Sequence, residues 1–251
     1  MAESGISVEK TAVVTGASRG IGRACALALA GRGYSLALCC REKTEMLEKV
    51  KEEALESGAP RVLTARADLA VYEEGRRFCQ QILEEFGHAD VLVNNAGISI
   101  VGLFQDLTPR DWRRILDTNV GSVYTMCHEL LPSMIHRKSG RIINISSVWG
   151  NVGGSCEAAY SATKGAVNSL TRALGKELAP SGISVNAIAC GAVDTDMNAV
   201  FGKEALRELA EEIPAGRLCR PEEVAEAVLS LLTAPGYLTG QVITLDGGWL
   251  S

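Results

Sequence analysis

The 251-residue sequence predicts an α/β fold: a single doubly wound domain whose seven-stranded parallel sheet is flanked by helices. Three observations predict it. Short apolar runs alternate with longer amphipathic segments along the whole chain. The apolar runs are continuous rather than alternating with polar residues, as expected of strands that are covered on both faces. A glycine-rich turn follows the first run and opens the first helix.

The pattern places each element in order. Strands are expected at residues 11–16, 35–40, 61–68, 91–94, 141–146, 183–189 and 242–245. Helices are expected at residues 21–30, 43–56, 72–86, 158–178, 204–212 and 222–232, with one long helical region at 110–134. An eight-fold barrel is the alternative of similar length, but it needs one more strand and leaves the glycines after the first strand unexplained.

The sequence shows no internal repeat, low-complexity tract or Pro/Gly linker, so residues 1–251 are expected to form one domain. Residues 194–220 have a weaker pattern and contain Gly202, Pro214 and Gly216. We interpret this segment as an insertion that acts as a lid over a binding site.

Composition narrows the classes of function. The formal net charge is −5 and no block of Lys or Arg interrupts it, so we expect no nucleic-acid partner. The eight Cys and three His show neither a C-x-x-C motif nor zinc spacing, so no metal site is expected. The N-terminus lacks the pattern of a secretory signal, and no apolar run is long enough to span a membrane. We therefore expect a cytoplasmic protein.

The first strand is followed by the glycine loop, Thr-Gly-Ala-Ser-Arg-Gly-Ile-Gly at residues 15–22. Glycines allow a tight turn and a close approach of a diphosphate to the backbone, and the following helix N-terminus offers free N–H groups. The alternative is a glycine-rich turn without a ligand, but the position between the first strand and the first helix favours a dinucleotide site.

The end of the second strand bears on which dinucleotide is bound. A site that prefers NAD carries Asp or Glu there, whereas this strand ends in Cys39, Cys40 and then Arg41. Arg41 and Arg19 suit a 2′-phosphate, so NADP(H) is the expected cofactor. Glu42 is a weak signal for NAD, and two surface arginines without a ligand are the other alternative. Strand packing is the expected role of the neighbouring cysteines.

Tyr160 and Lys164 lie four residues apart in a predicted helix and therefore share a face. A neighbouring ammonium group is expected to lower the pKa of the phenol, so that it exchanges a proton with an alcohol or carbonyl group. Ser147 ends the fifth strand, where ligands lie in such sheets, and its hydroxyl suits a carbonyl oxygen.

These motifs together resemble the short-chain dehydrogenase/reductase family, whose members have a Rossmann fold. The resemblance covers nearly the whole chain. It rests on the glycine loop, Asn-Asn-Ala-Gly at residues 94–97, Ser147, Tyr160 and Lys164, and also on Asp68-Leu69, Asp-Thr-Asn-Val around Asn119, and Leu-Asp-Gly-Gly at residues 245–248.

The resemblance implies a role for each matching residue. Tyr160 would be the general acid, Ser147 would orient the carbonyl, Lys164 would also hold the nicotinamide ribose, and Asn119 would fix a water that relays protons toward Lys164. A structural residue at a helix kink is the alternative for Asn119. The implied cofactor-binding residues are Gly16, Ser18, Arg19, Gly20, Ile21, Gly22, Arg41, Asp68, Leu69, Asn95, Ala96, Gly97, Tyr160, Lys164, Val193 and Thr195.

Within this family, residues 193–197 and 213–217 most resemble the 3-oxoacyl-[acyl-carrier-protein] reductases. This implies NADPH-dependent reduction of a 3-oxoacyl-[acyl-carrier-protein] to the 3-hydroxyacyl form in fatty acid biosynthesis. A basic rim for the acidic carrier is expected from Arg137, Lys138 and Arg141. Ser181, at a position that is often basic in those enzymes, leaves open a reductase of small ketones, sugars or steroids.

Two further expectations concern the chain as a whole. A non-catalytic nucleotide-binding scaffold is the alternative from another class, but Asn119, Ser147, Tyr160 and Lys164 are all present. The helices around residues 110–134 and 158–178 are rich in apolar residues, and the resemblance implies that they pair into a homotetramer rather than leave a monomer. Cys190 replaces the usual Pro of the family after the sixth strand, which is expected to loosen the loop next to the nicotinamide.

Overall fold

One open, fully parallel sheet organises the chain in the computed structural model, which describes residues 9–199 and 202–250. The strand order is β3-β2-β1-β4-β5-β6-β7. The strands are β1 (Thr11–Thr15), β2 (Ser35–Cys40), β3 (Val62–Arg66), β4 (Val91–Asn94), β5 (Gly140–Ser147), β6 (Ile183–Cys190) and β7 (Val242–Leu245). The predicted α/β fold with a seven-stranded parallel sheet is therefore confirmed, and the barrel is excluded.

Helices connect the strands and cover both faces of the sheet. Their bounds are α1 (Gly20–Ala30), α2 (Thr44–Glu56), α3 (Tyr72–Phe86), α4 (Pro109–Leu116), α5 (Ser122–Arg137), α6 (Trp149–Val152), α7 (Ala158–Leu178), α8 (Asp196–Ala199), α9 (Gly202–Glu212) and α10 (Pro221–Thr233). One core layer contains buried residues of α1, α2 and α10, and the opposite layer contains buried residues of α3, α5 and α7. The continuously apolar strands match this arrangement, because both of their faces are covered.

The winding direction reverses between β1 and β4, which are neighbours in the sheet. Crossovers from β1 run to β2 and β3 on one side, whereas the chain from β4 continues to β5, β6 and β7 on the other. The loops that leave β1 and β4 diverge at this switch point, and they leave a crevice at the carboxyl edge of the sheet.

The long predicted helical region differs most from expectation. It begins at Pro109 and ends at Arg137, and a π-helical turn at Asp117–Gly121 divides it into α4 and α5. The Thr108 hydroxyl caps the start of α4 by accepting a hydrogen bond from the Asp111 N–H. The reason for the interruption lies in tertiary contacts of Asn119, described below.

The two ends of the predicted lid segment lie next to each other in the structure. Val193 and Cys219 form an isolated parallel bridge, in which the Asp194 N–H donates to the Cys219 carbonyl at 2.8 Å and the Cys219 N–H donates to the Ala192 carbonyl at 2.9 Å. Between these anchors the chain forms α8 and α9, and residues 200 and 201 lie outside the described part. Its action as a lid stays a prediction.

The described residues contain neither a membrane-spanning helix nor a cluster of metal ligands. Within 9–199 and 202–250, no helix is long and apolar enough to cross a membrane. In the same ranges, no group of three or more His, Cys, Asp or Glu side chains is arranged as metal ligands.

Candidate active site

A cleft of about 770 Å³ lies along the carboxyl edge of the sheet. Its β1–β3 half is formed by the segments that follow those strands, residues 16–21, 39–43 and 67–69. Its β5–β7 half is formed by lining residues between 145 and 164, between 190 and 198 and between 205 and 209, together with Trp249. The segment after β4, residues 95–101, lies between the two halves. A cavity of this size is typical of sites for small molecules and cofactors.

The glycine loop forms the start of the β1–β3 half. Gly16 and Gly20 have φ values of 65° and 54°, a left-handed conformation that glycine adopts without strain. Gly22 does not line the cleft; a Cβ there would lie 2.3 Å from the Gly16 carbonyl oxygen, so its role here is to let α1 pack against the loop. No side chain caps the N-terminus of α1, which opens on the cleft and so suits a diphosphate.

Thr15 joins the loops on either side of the switch point. Its hydroxyl oxygen accepts hydrogen bonds from the N–H groups of Asn95 and Ala96, at 2.9 and 3.0 Å. The Asn95 amide nitrogen donates in turn to the carbonyls of Thr15 and Gly16, at 2.9 and 3.1 Å. These bonds fix the glycine loop against the segment after β4, so both present their backbone to the cleft in one geometry.

The end of β2 presents positive charge. Arg41 and Lys43 line the cleft, as does Arg19 from the glycine loop. Both arginines already have carboxylate partners: Arg41 pairs with Glu42 at 2.8 Å and Arg19 pairs with Asp196. Glu42 is thus an ion-pair partner of Arg41 in this structure. Lys43, which the sequence analysis did not single out, adds a further positive charge.

Most residues of the predicted site meet in this one cleft. Those that line it are Gly16, Ser18, Arg19, Gly20, Ile21, Arg41, Asp68, Leu69, Asn95, Ala96, Gly97, Ser147, Tyr160, Lys164, Val193 and Thr195. Thr118 also lines it, and its buried hydroxyl oxygen has no hydrogen-bond partner among the described residues. That orphaned oxygen, the uncapped α1 N-terminus and the cations after β2 fit a phosphate-bearing dinucleotide.

Ser147 and Tyr160 come together in the β5–β7 half. Ser147 is the last residue of β5, and Tyr160 lies in the first turn of α7. The Ser147 hydroxyl oxygen accepts from the Trp149 N–H at 3.2 Å, and Ser147 is close enough to Tyr160 to affect the pKa of the phenol. A strand end and a helix start thus hold two hydroxyl groups next to each other, where both can contact one carbonyl oxygen.

The expected lowering of the Tyr160 pKa is wrong for this state of the protein. Burial raises the pKa of Tyr160 above its ordinary value; the nearby Ser147 hydroxyl opposes the rise, and Cys190 and Glu157 add to it. The nearby Lys164 does not outweigh this burial: its Nζ lies 5.5 Å from the ring centroid of Tyr160 and donates to the Ile145 carbonyl at 2.8 Å. The phenol is therefore held protonated, which suits a proton donor.

The pKa of Lys164 is also shifted from its ordinary value. Its side chain is 6 % exposed, and burial lowers its pKa from 10.5 to about 8. Removal from water disfavours the ammonium form, and no carboxylate ion pair within the described residues compensates. This amine is therefore able to change protonation near physiological pH.

Asn119 supports the site from behind the cleft wall. It is 1 % exposed and lies in the π-helical turn. Its amide oxygen accepts from the Ile98 N–H at 2.8 Å, while its amide nitrogen donates to the Ile98 carbonyl at 2.9 Å and to Thr163 Oγ1 at 3.0 Å. The side chain therefore positions the segment after β4 against α7, which agrees with a kink residue. The predicted water relay stays a prediction.

Apolar side chains form the walls of the β5–β7 half. Trp149 and Trp249 meet edge to face, with their ring centroids 5.3 Å apart. Met197, Leu206 and Leu209 also line this half, and Val101 lines the cleft from the segment after β4. Sequence reasoning missed all of them. The only available signal was position, since Trp149 follows Ser147 by two residues and Trp249 directly follows the Leu-Asp-Gly-Gly motif.

The predicted basic rim is wrong for the single chain. Arg141 pairs with Val91 at the beginning of β5, at the amino edge of the sheet, whereas the cleft lies at the carboxyl edge. Arg137 makes an ion pair with Asp90 at 3.0 Å, and Lys138 ends α5 at the same edge. The sequence placed Arg141 at the start of a strand, as found, and the start of a parallel strand lies at the amino edge of the sheet, away from the cleft.

The cysteines near the cleft lie within strands of the sheet. Cys39 and Cys40 are buried in β2, and burial raises the pKa of the Cys39 thiol to about 12. Cys190 ends β6, where its carbonyl accepts from the Val148 N–H and the next N–H, of Gly191, donates to Leu245, both at 2.9 Å. The chain is thus tied to both neighbouring strands at the position where the family usually has proline.

The sequence and the fold are similar to those of known oxidoreductases. The profile of the short chain dehydrogenase family matches residues 10–205. The chain is 40 % identical over 243 residues to the uncharacterized oxidoreductase YmfI of Bacillus subtilis, which covers 96 % of this chain and 99 % of that protein. It is 38 % identical over 244 residues to the 3-oxoacyl-[acyl-carrier-protein] reductase FabG of Staphylococcus aureus, covering 97 % of this chain and 99 % of FabG.

A solved structure agrees with these relatives. A short-chain dehydrogenase/reductase from Burkholderia xenovorans superimposes with a TM-score of 0.89 at 30 % sequence identity, over 97 % of this chain and 99 % of that one. The family profile covers the glycine loop, Asn119, Ser147, Tyr160 and Lys164, which are the residues that the structure gathers in or behind the cleft. The chain therefore belongs to the short-chain dehydrogenase family of nicotinamide-dependent oxidoreductases.

Proposed function

We propose that the protein reduces the ketone of a 3-oxoacyl thioester to the 3-hydroxyacyl form, with NADPH as the electron donor and an acyl carrier protein as the carrier of the thioester. One observation carries the proposal. The neighbouring hydroxyl groups of Ser147 and Tyr160 share a cleft with Lys164 and with the uncapped N-terminus of α1. This arrangement supplies a proton donor, a carbonyl-binding hydroxyl and a phosphate site within one cavity.

The chemistry divides between cofactor and protein. When bound, the reduced nicotinamide supplies the hydride that the carbonyl carbon receives. Tyr160 gives its proton to the carbonyl oxygen, and Ser147 donates a hydrogen bond to the same oxygen, so one carbonyl becomes one alcohol. Lys164, as a buried cation, stabilises the phenolate that remains until Tyr160 regains a proton from water. Asn119 keeps the segment after β4 in place throughout.

The choice of NADPH rests on charge. Arg19, Arg41 and Lys43 place three cations in the β1–β3 half of the cleft. No carboxylate ends β2, and Glu42 is already paired with Arg41. Guanidinium and ammonium groups bind phosphate oxygens well, so a 2′-phosphate adds favourable contacts that NADH lacks. Gly16, Ser18, Gly20 and Ile21 would hold the diphosphate, with Asp68 and Asn95 beside the adenosine.

The choice of a 3-oxoacyl thioester rests on the apolar wall and on the relatives. Two tryptophans and the aliphatic residues beside them suit an acyl chain. A second full-length relative, from Synechocystis, is likewise called a 3-oxoacyl-[acyl-carrier-protein] reductase, at 38 % identity. A reductase of small ketones, sugars or steroids is the second candidate, favoured by the aromatic pair, which also suits a flat apolar ring.

The test is a substrate panel followed by one variant. We expect NADPH oxidation with acetoacetyl thioesters to exceed that with cyclic ketones, and acyl-carrier-linked substrate to exceed the coenzyme A form. Tyr160→Phe should lower kcat by at least about a hundredfold while NADPH still binds, because only the proton donor is removed. Full activity in that variant would exclude the proposed mechanism. A preference for cyclic or sugar ketones would favour the second candidate.

Assembly and location complete the proposal. We propose a homotetramer built on α5 and α7, whose exposed residues include Tyr124 and Ile135 on α5 and Ala162 and Ala166 on α7. We also propose a cytoplasmic location, where the eight free thiols would stay reduced.

A further inference from the structure

Glu157 is a charged residue of the cleft that the proposed chemistry does not use. It is the residue before α7, three positions ahead of Tyr160, and it is partly buried. Its carboxylate lines the cleft and accepts a hydrogen bond from the Ser99 hydroxyl at 2.6 Å. Its negative charge is close enough to Tyr160 to contribute to the raised pKa of the phenol.

The other charged side chains of the cleft lie in its β1–β3 half or already have a polar partner. Among the described lining residues, Arg19, Arg41, Lys43, Glu42 and Asp68 belong to the β1–β3 half. Asp196 is paired with Arg19, and the Lys164 amine is turned toward the Ile145 carbonyl. Within this set, Glu157 is the carboxylate of the β5–β7 half that makes no ion pair.

The hydrogen bond to Ser99 does not explain the charge. Together with the bond from the Gly102 N–H to the Cys156 carbonyl at 2.8 Å, it holds the segment after β4 against the start of α7. A neutral amide would accept the same hydrogen bond from Ser99. A carboxylate at this position therefore has a consequence beyond structure, which is to set the electrostatic potential where the substrate binds.

We propose that Glu157 is a specificity-determining residue that selects 3-oxo compounds with a neutral group beside the ketone, such as thioesters and esters, and rejects free 3-oxo acids. The inference rests on the proposed function and deepens it. A 3-oxo acid carries its carboxylate two carbons from the ketone carbon, so a ketone held by Tyr160 and Ser147 places that carboxylate in the same cleft half as Glu157. Two like charges in a partly desolvated site repel each other, whereas a thioester or ester has no charge there.

The experiment compares two substrates that differ in one group, acetoacetate and ethyl acetoacetate. We measure kcat/KM with NADPH for the wild type, Glu157→Gln and Ser99→Ala. Glu157→Gln keeps the shape and an acceptor for Ser99 and removes the charge; Ser99→Ala removes the hydrogen bond and keeps the charge. The ratio of kcat/KM for acetoacetate over ethyl acetoacetate should rise about tenfold in Glu157→Gln and stay within about twofold of the wild type in Ser99→Ala.

Binding without turnover gives an independent measurement. Trp149 and Trp249 line the cleft, so quenching of tryptophan fluorescence reports ligand binding to the protein without cofactor. We expect Glu157→Gln to bind acetoacetate about tenfold more tightly than the wild type does. Added salt should weaken the discrimination in the wild type, because mobile ions screen the repulsion.

The two proposals fail in different ways. If ethyl acetoacetate is reduced but Glu157→Gln leaves both the rate ratio and acetoacetate binding unchanged, the role of Glu157 is wrong and the reductase stands. The role of Glu157 is also wrong if Ser99→Ala shifts the ratio as strongly as Glu157→Gln does. If neither compound is reduced while Glu157→Gln still tightens acetoacetate binding, the proposed reduction is wrong and the electrostatic selection stands.

Discussion

The buried Lys164 side chain lowers the stability of the fold, whereas the proposed reaction depends on it. Its amine is buried in the cleft, with the Ile145 carbonyl as its hydrogen-bond acceptor and no ion-pair partner among the described residues. A buried ammonium group without a counter-charge lowers the stability of the folded state. The cost persists because the proposed reaction needs a cation beside Tyr160.

The first prediction follows from this burial. Lys164→Met should raise the free energy of unfolding at pH 7 by about 1–3 kcal/mol while abolishing activity. The folded-state pKa is about 8 against 10.5 unfolded, so below pH 8 the lysine is charged in both states and the wild type bears the full cost. The gain should shrink as the pH rises from about 8 through 10.5, where the wild-type lysine becomes neutral.

Chemical denaturation at neutral and alkaline pH measures this gain. Lys176→Met is the matched control, since Lys176 is exposed on the same helix and its substitution should change stability by less than about 0.5 kcal/mol at either pH. A loss of stability in Lys164→Met at pH 7 would show that the lysine contributes more through its hydrogen bond than it costs through its charge.

The second prediction concerns the reaction rate. Reduction needs a protonated Tyr160 and a cationic Lys164; burial raises the pKa of the former and lowers that of the latter to about 8. The kcat/KM for NADPH, which reports groups of the free enzyme, should therefore fall as the pH rises above about 8. A profile that stays flat to the alkaline end of the range would contradict the assignment to Lys164.

At the scale of single residues, the sequence predicted which side chains lie close together, but not how deeply they are buried or how their pKa values shift. Spacing placed Tyr160 and Lys164 on one face of a helix, and Ser147 at a strand end, as found. Periodicity does not report how deeply a helix face is buried, so it missed the desolvation that raises the pKa of the phenol. Glu157 and the two tryptophans were missed because no local pattern marks a residue that acts only through its neighbours in space.

Among the elements, the ion pair of Arg19 and Asp196 joins the glycine loop to α8 of the predicted lid. The two side chains are 50 % and 61 % exposed, so the pair itself stabilises little. Arg19 faces the site where the phosphates are proposed to bind. The carboxylate and the phosphates therefore compete for the same guanidinium group.

The third prediction tests this competition. Asp196→Asn should lower the Kd for NADPH about two- to fivefold, because Arg19 is freed for the cofactor while the amide still fits the start of α8. Fluorescence titration with NADPH measures it. Glu204→Gln is the control, since it breaks the exposed Arg207–Glu204 pair of the same segment and should leave the Kd unchanged. Weaker binding in Asp196→Asn would mean that the pair holds the segment in a binding-competent position.

Element boundaries were predictable where packing follows a simple period. The strands β2, β4 and β7 and the helices α3 and α7 begin and end where the sequence placed them. The strands β2 and β4 are buried at every residue, and the two helices bury one face, so their patterns are regular. The interruption of the helical region at 110–134 was not predictable. The Asn119 side chain donates hydrogen bonds to Ile98 and Thr163, and the helix contains a π-helical turn at this residue. A contact with a residue 21 positions away leaves no periodic signal.

At the scale of the whole molecule, two helix surfaces of the described chain carry exposed apolar or small side chains. Tyr124, His128, Leu131 and Ile135 form a stripe along α5, spaced four, three and four residues apart, and Tyr124 stacks on His128 with centroids 5.3 Å apart. The exposed side of α7 carries small residues, including Ala162 and Ala166. A stripe of large side chains and a smooth helix face can pack together between copies of the chain.

The last prediction is that the protein is a homotetramer whose assembly depends on this stripe. Ile135 is 43 % exposed and Tyr124 is 53 % exposed, so placing a carboxylate on either should not disturb the folded chain. Buried in an interface, the same carboxylate would lose its water without gaining a partner. Ile135→Glu and Tyr124→Glu should therefore give smaller species in light scattering coupled to size-exclusion chromatography.

Met46→Glu provides the matched control, because Met46 is 39 % exposed on α2, which belongs to the opposite core layer. It should remain tetrameric, and all three variants should keep the circular dichroism of the wild type. A monomeric wild type would exclude the assembly outright. A tetramer that persists in Ile135→Glu and Tyr124→Glu would show that the interface does not include α5. The exposed edge of β7, where Ile243 is 38 % exposed, would then be the next surface to substitute.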